Sequence, residues 1–507
     1  MTRPYLLRTF TGQGSGSYAA AEHRSGHRID SAGARVARMG LSSPSAEDGV
    51  PRDPVYEVRL RPPPLDEAYV PGADNPERAE HAIISALQAA RDPASTAARI
   101  GVCAVGGSGK TTACAGVAAC EWARTRFTKG TAWVQLDSSS TLESVAEAVM
   151  ALVYRFCGGD AVEQLSALTA DKDFVAVAAG YVRSVAVADA AQWLVVIDDV
   201  LYEKRELLRQ LLALIPLATP VVFSTRSEAV VWSVPGATLV SIDALPASDA
   251  RLVLAAAAGK AVEGGVSPFS AVDAAGWVHR VLAKTERHAL SLAVVGSMIA
   301  DRGGAWRTVV EALEQRWMDP AFVCRDATSP LPSVHATLDV SLGLIPVGVC
   351  RDAFAALGVL PVHVRLPVLA RLWHSFLVGA AAKCEGLVAQ SRGVLRSTGV
   401  EELVNTLVRA GLVRRDVDEA SGELIGVVVH PVVGQYALSL LGDATRAVHQ
   451  RMIDAYMVGV AVDGRDAHGW QRLPFWEVSD DGYWFDHVVR HVAAAGDVCG
   501  LVSVLDS

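Results

Sequence analysis

The chain has 507 residues, a formal net charge of −9 and 51% hydrophobic residues; that is long enough for about three or four domains with buried cores. The acidic balance argues against non-specific attraction of the whole molecule to nucleic acid or an anionic membrane, and no run approaches the ~18 uninterrupted apolar residues of a membrane span. The eight cysteines (Cys103, Cys114, Cys120, Cys157, Cys324, Cys350, Cys384 and Cys499) form no C-x-x-C pair and have no histidine at zinc spacing, so they read as free thiols of a reducing, cytoplasmic compartment.

Residues from Met1 to about Asp53 are rich in Gly, Ser, Ala and Arg and poor in periodic aliphatics, too little to offset the entropy of ordering. With the proline-punctuated segment that follows, residues 1–67 are expected to be a disordered or linker leader; a transit peptide is the alternative for its Arg-rich first part. Asn75 as N-cap, Pro76 in the first turn and Glu77 then predict a helix reaching about Ala90.

The next stretch is the most informative. An apolar strand, Arg99 to Cys103, runs into Gly106-Gly-Ser-Gly-Lys-Thr-Thr112, and a helix is expected from about Lys110. Gly106, Gly107 and Gly109 allow a backbone in which consecutive N–H groups, those of Gly107, Ser108 and Gly109, converge on an anion. The helix N-terminus adds favourable dipole charge. Lys110 can reach the β- and γ-phosphate oxygens, and the Thr111 hydroxyl is placed to ligate the Mg²⁺ that accompanies a nucleoside triphosphate. Ala104 stands where the strict pattern G-x-x-x-x-G-K-[ST] has glycine.

Strands and helices then alternate. Thr111–Arg126 reads as helix and Thr131–Leu136 as strand, and Ser140 with Glu143 forms a capping box for a helix to about Phe156. A helix over Lys172–Ala188, a buried strand Trp193–Asp199, a helix Glu203–Ile215 and a strand Val221–Arg226 follow. The alternation predicts a parallel sheet covered on both faces, with ligands at the carboxyl ends of its strands. There, Asp198 can hold Mg²⁺ while Asp199 orients or deprotonates the attacking water, although Asp-Asp is also an ordinary turn. Arg226 can detect a γ-phosphate or make a surface ion pair.

From about residue 244 the pattern is helical and Ala-rich, with a helix start at Leu245–Arg251 and helices over Ala271–Thr285, Leu290–Ala300 and Ala305–Trp317. The segment Cys324–Pro332 is a natural boundary. Helices near 334–343, 350–357, 365–376 and 401–410 precede two strand-like runs, Leu412–Arg415 and Leu424–Val429, the pattern of a winged helix. Over 331–441 nine basic residues balance nine acidic ones, so an internal packing role is expected in preference to duplex DNA binding. Residues 442–507 read as a further helical domain in which Trp470, Phe475, Trp476, Tyr483, Trp484 and Phe485 pack a core, closing with a helix His487–Ala495.

Taken in order, these motifs resemble the NB-ARC module, the STAND-class nucleotide switch of plant NLR resistance proteins and the apoptotic protease-activating factor. Gly106–Thr112 resembles its phosphate loop, Leu194–Val200 its Walker B strand, and Phe223–Arg226 its sensor strand, whose Arg contacts the γ-phosphate. Ala289-Leu-Ser-Leu-Ala293 occupies the place of Gly-Leu-Pro-Leu-Ala, with Ser291 for the proline that packs near adenine. Val429-His430-Pro431 stands for Met-His-Asp, and the resemblance implies that His430 binds the ADP β-phosphate. The backbone near Val70 and Pro71 resembles the adenine-holding segment.

The resemblance implies a P-loop nucleotide-binding domain (68–243), a helical domain (244–325), a winged-helix domain (331–441) and the C-terminal helices. It further implies an ADP-closed, ATP-opened switch with slow hydrolysis that forms homo-oligomers with ATP and works with effector and sensor proteins in defence or cell-death-like signalling. A transcription regulator reading DNA through the winged helix and a nucleotide-binding scaffold without hydrolysis are the alternatives. No death-fold, TIR, coiled-coil or sensor-repeat segment is recognisable.

Overall fold

The computed structural model describes residues 62–63, 65, 77–90, 98–136, 142–166, 174–184, 189–259, 272–319, 332–345, 349–373, 398–418, 421–457, 478 and 483–496. They fall into two compact units. The first comprises Glu80–Cys103 and Ala113–Val240, and the second combines Leu65–Ala79, Ala104–Thr112 and everything from Ser241 on. Residues 1–61 of the leader, Ser140 of the capping box and the helix start at Asn75 lie outside the described residues.

In chain order the first unit holds α1 (Ala79–Ala89), β1 (Arg99–Cys103), α2 (Lys110–Ala119), α3 (Glu121–Arg126) and β2 (Gly130–Gln135). Next come α4 (Leu142–Cys157), α5 (Gly159–Ser166), α6 (Phe174–Ser184), β3 (Trp193–Val200), α7 (Arg205–Leu214), β4 (Val221–Thr225), α8 (Glu228–Trp232) and β5 (Thr238–Ser241). The sheet order is β2-β3-β4-β1-β5; β2 with β3, β3 with β4 and β4 with β1 are parallel. Parallel strands need helical crossovers that cover both faces, which is why β4 is buried along its whole length and β3 everywhere except Asp199. Leu208, Leu211 and Leu214 of α7, spaced to line one face of a helix, pack with Ile197 and Phe223 in the core.

Where one helix was expected over Thr111–Arg126 there are two, because Cys120 leaves the helical conformation and its sulfur accepts the Ala123 N–H as an N-cap. The short α5, α8 and β5 are additional to the expected elements; at four to eight residues they carry too little periodicity to be read.

The second unit includes the glycine loop and continues through α9 (Ala247–Ala257), α10 (Val272–Lys284), α11 (Ala289–Asp301), α12 (Trp306–Met318), α13 (Pro332–Leu344) and α14 (Val349–Ala356). It then runs through β6 (His363–Arg365), α15 (Thr398–Arg409), β7 (Arg414–Val417), β8 (Leu424–Val428), α16 (Pro431–Leu441), α17 (Thr445–Met457) and α18 (Trp484–Ala495). One continuous apolar core joins α9–α14 to the C-terminal helices, with Leu254, Val295, Leu338, Phe354, Trp373, Leu407, Tyr436 and Trp484 among its members. At the expected helix start near Leu245, Pro246 takes the N-cap position without a side-chain cap; Asp249 instead pairs with Arg78 at 2.6 Å.

The hairpin is a three-stranded antiparallel sheet of order β6-β8-β7. Its third strand, His363–Arg365, precedes a helical stretch at 366–373, so the helix expected from 365 starts one strand later; three residues in an exposed-buried-exposed pattern give no periodic signal of their own. Gly358 fits only as glycine, since an added Cβ would come within 2.3 Å of the Leu438 backbone nitrogen in α16.

Between α17 and α18 two buried histidines meet, His449 Nδ1 lying 2.7 Å from His491 Nδ1 while His491 Nε2 lies 2.6 Å from the Tyr483 hydroxyl. Two nitrogens sharing one hydrogen bond cannot both carry a proton, so the arrangement requires at least one unprotonated Nδ1. Burial, reinforced by Arg490, pushes His449 down to about 4; burial, then His449, Arg490 and His487 push His491 down to about 3. An unfolded histidine titrates near pH 6.5, so below that pH the unfolded chain takes up protons that the folded pair refuses, and stability present above it is lost as pH falls. By pH 5 each histidine is expected to cost about 2 kcal/mol relative to pH 7. Amide exchange in α17 and α18 should therefore accelerate across that range, and a flat response would contradict the neutral pair.

Candidate functional site

At the carboxyl ends of the central strands, β3 and β4 lose register. Ile197 faces Phe223 and Val200 faces Thr225, so Asp198 and Asp199 together oppose the single residue Ser224. This is a β-bulge, and Asp199 accommodates it with a left-handed φ of 51°, a conformation that Asp tolerates better than most residues. Ser224 holds both bulged residues: its hydroxyl donates to Asp198 Oδ1 and accepts the Asp199 N–H at 2.9 Å. Asp198 is thereby fixed at 2% exposure.

Asp199 is turned to the next strand end, where Arg226 grips it with Nε to Oδ1 at 3.2 Å and Nη2 to Oδ2 at 3.0 Å. Thr225 anchors the same corner, its hydroxyl donating to Val200 O at 2.7 Å and accepting the Ser227 N–H. The two carboxylates that look equivalent in sequence thus have separate roles, one hydrogen-bonded to a buried hydroxyl and the other in a two-point ion pair. The pair of Arg226 with Asp199 is partly buried within this cluster and is not a surface ion pair.

The glycine loop follows β1 directly and ends in the first turn of α2. Gly107 and Gly109 have φ of 79° and 97°, the left-handed region that a loop needs to turn successive N–H groups one way. Around Gly109 an added Cβ would meet nothing within 4 Å, whereas at Gly107 it would lie 2.9 Å from both His288 Cε1 and Leu290 Cβ. The loop is therefore open on one side and closed against the start of α11 on the other.

Lys110 is buried, with Nζ donating to Ala104 O at 2.9 Å and Val105 O at 2.8 Å. Ser108 Oγ is buried without a hydrogen-bond partner, as is the hydroxyl of Ser291 in the first turn of α11. Gly106 is buried, and Thr111 and Thr112 are exposed at the N-terminus of α2. Buried hydroxyls without partners, a cradle that tolerates no side chain at Gly107 and a buried lysine held on the backbone of the same loop fit an oxygen-rich anionic ligand.

His430 occupies the N-cap of α16, its Nδ1 accepting the Val432 N–H at 3.2 Å, with Pro431 as the first helical residue. Val70 lies outside the described residues. Among the described residues no three His, Cys, Asp or Glu side chains gather as a metal site, and no helix is long and apolar enough to cross a membrane. Of the arginines on the hairpin, Arg415 is engaged with Asn405 at 2.7 Å.

Two residues were not singled out in the sequence. Ser224 carries a readable signal, a hydroxyl inside a strand whose neighbours are apolar. His288 has only its place before an apolar helix, and its partner lies 182 positions away.

The fold is that of a P-loop NTPase domain followed by helical domains, of STAND-like architecture. The signal transduction ATPase with numerous domains (STAND) protein with a tetratricopeptide repeat sensor from Pyrococcus horikoshii aligns over 87% of this chain and 50% of its own, with a TM-score of 0.50 at 13% identity. This chain thus spans about half the length of that structure, and at such identity the likeness concerns the fold. The Orc1 protein of Aeropyrum pernix, solved in complex with DNA, aligns over 75% of this chain and 95% of its own at a TM-score of 0.30 and 15% identity, too distant to carry an argument. No family model matches the sequence, and no curated protein matches it.

Proposed function

We propose that the chain is an ATP/ADP-binding switch with at most slow, regulatory hydrolysis. The observation that carries this reading is the glycine loop: two left-handed glycines, a buried lysine and a buried unpartnered serine hydroxyl between a sheet strand and a helix N-terminus. In it Gly106, Gly107, Ser108, Gly109, Lys110, Thr111 and Thr112 hold the phosphates. Thr111 and Asp198 are the residues that would hold Mg²⁺, which supplies charge neutralisation on the phosphate oxygens when bound.

Asp198, oriented by Ser224, is the carboxylate that would counter the cation, while Asp199, expected from the sequence to orient or deprotonate the attacking water, is paired with Arg226 and holds it in readiness. A guanidinium in a two-point pair with one carboxylate can exchange that partner for a terminal phosphate of similar geometry, so Arg226 is the candidate sensor of the γ-phosphate. Val70 and His430 complete the nucleotide contacts in this reading. ADP favours a closed monomer and ATP an open form that assembles into homo-oligomers for signalling of the defence type. Decisive switching requires the two nucleotides to differ by several kcal/mol in their preference for one form.

The test is ligand-dependent melting and particle size of the purified protein, measured without nucleotide, with ADP and with ATP. Both nucleotides should raise the melting temperature, by an amount that grows with ligand concentration, and ATP alone should increase particle size. A protein indifferent to both ligands would sink the reading.

A further inference from the structure

The glycine loop is clamped from one side by the beginning of α11. His288 Nε2 lies 3.0 Å from Gly106 O. A carbonyl only accepts, so Nε2 carries the proton and donates. One residue along the loop, Gly107 O accepts the Leu290 N–H at 3.1 Å. The contact serves the helix too: the first backbone N–H groups of a helix have no partner within it, and His288, in the N-cap position, makes no side-chain cap of its own. The loop carbonyl caps the helix while the N-cap side chain reaches across to the loop.

In a trans peptide the C=O and N–H of one plane point in opposite directions. Fixing Gly106 O therefore sends the Gly107 N–H the other way, and fixing Gly107 O does the same for the Ser108 N–H. These are two of the N–H groups on which a phosphate cradle depends. Gly107 is needed twice, for its φ of 79° and because a side chain would collide with His288 and Leu290.

Resting on the nucleotide reading above, we propose that His288 is a positioning residue for phosphate: with the Leu290 N–H it fixes two loop peptides from outside, so that their N–H groups face the ligand. The phosphate-binding geometry is then a joint property of the loop and the first turn of α11. A rearrangement that lifts this turn away releases both peptides and weakens the grip on phosphate. The imidazole stays neutral in this role, since burial first and the Lys110 ammonium second push it down to about 4, against the opposing hydrogen bond to Gly106. Its Nδ1, buried and unpartnered, plays no part in the clamp.

The experiment compares the affinity of the full chain for ADP and for adenosine in wild type, His288→Ala and His288→Gln. The clamp predicts that His288→Ala loses at least tenfold in ADP affinity with adenosine changed less than threefold, and that His288→Gln, which restores a side-chain N–H donor, recovers most of the ADP loss. ADP affinity unchanged in His288→Ala overturns the clamp, and so does equal loss for ADP and adenosine or equal impairment of Ala and Gln variants, because a packing role predicts those patterns. A wild type that binds neither ligand is a different failure: it overturns the nucleotide reading and takes the clamp with it.

Discussion

Replacing Lys110 by Met is expected to weaken ADP and ATP binding about 100-fold or more while leaving the unliganded protein folded. The side chain is buried, and methionine retains most of its apolar stem, so the main loss is the ammonium group. Before ligand arrives, that group donates to Ala104 O and Val105 O at 2.9 and 2.8 Å, which keeps a positive charge at the loop where phosphate oxygens would come. Hydrogen bonds from a charged donor contribute about 1.5–3 kcal/mol each, and every 1.4 kcal/mol is tenfold in affinity. Two such bonds to phosphate therefore account for a loss of about two orders of magnitude or more. Isothermal titration with ADP measures it directly. The variant should also lose the ligand-induced rise in melting temperature, while the unliganded melting temperature falls only by the cost of two carbonyls losing one donor. Nucleotide affinity that survives Lys110→Met would mean that the loop is not the phosphate site.

Much of this site was legible because its signals are local. Glycine, lysine and hydroxyl residues at fixed spacing behind an apolar strand describe the loop without reference to anything distant, and the continuous apolar runs of β3 and β4 announced buried parallel strands ending in Asp198, Asp199 and Arg226. What could not be read is what depends on register. The bulge that sets two aspartates against Ser224 arises from how β3 meets β4, and the division of labour between the carboxylates follows from it. His288 and Gly106 stand 182 positions apart, with the strands β2 to β5 between them in the chain, so no window of sequence contains both. The three-residue strand β6 and the break at Cys120 escaped for the opposite reason: they are local but too short to impose a period.

Replacing Asp198 by Asn is expected to reduce ATP turnover at least 100-fold while changing ADP affinity less than threefold. The substitution is nearly isosteric and keeps an oxygen that can accept the Ser224 hydroxyl, so the bulge and its left-handed Asp199 survive. What disappears is a carboxylate able to take a proton from water or to counter a cation, and removal of such a group costs about 10²–10⁴ in rate. Ser224→Ala is the complementary change. It leaves Asp198 chemically intact but unheld, and it strips the Asp199 N–H of its acceptor, at a stability cost of about 1–3 kcal/mol for a buried donor left unpaired. Turnover in Ser224→Ala should fall less steeply than in Asp198→Asn, because an unheld carboxylate still samples its working position. Single-turnover assays on the three proteins separate the possibilities. If wild type and Asp198→Asn cleave ATP at the same measurable rate, Asp198 has no part in hydrolysis; if neither cleaves it, the chain binds nucleotide as a scaffold. If Ser224→Ala is slower than Asp198→Asn, the bulge geometry, and through it the Asp199–Arg226 pair, matters more than the carboxylate it holds.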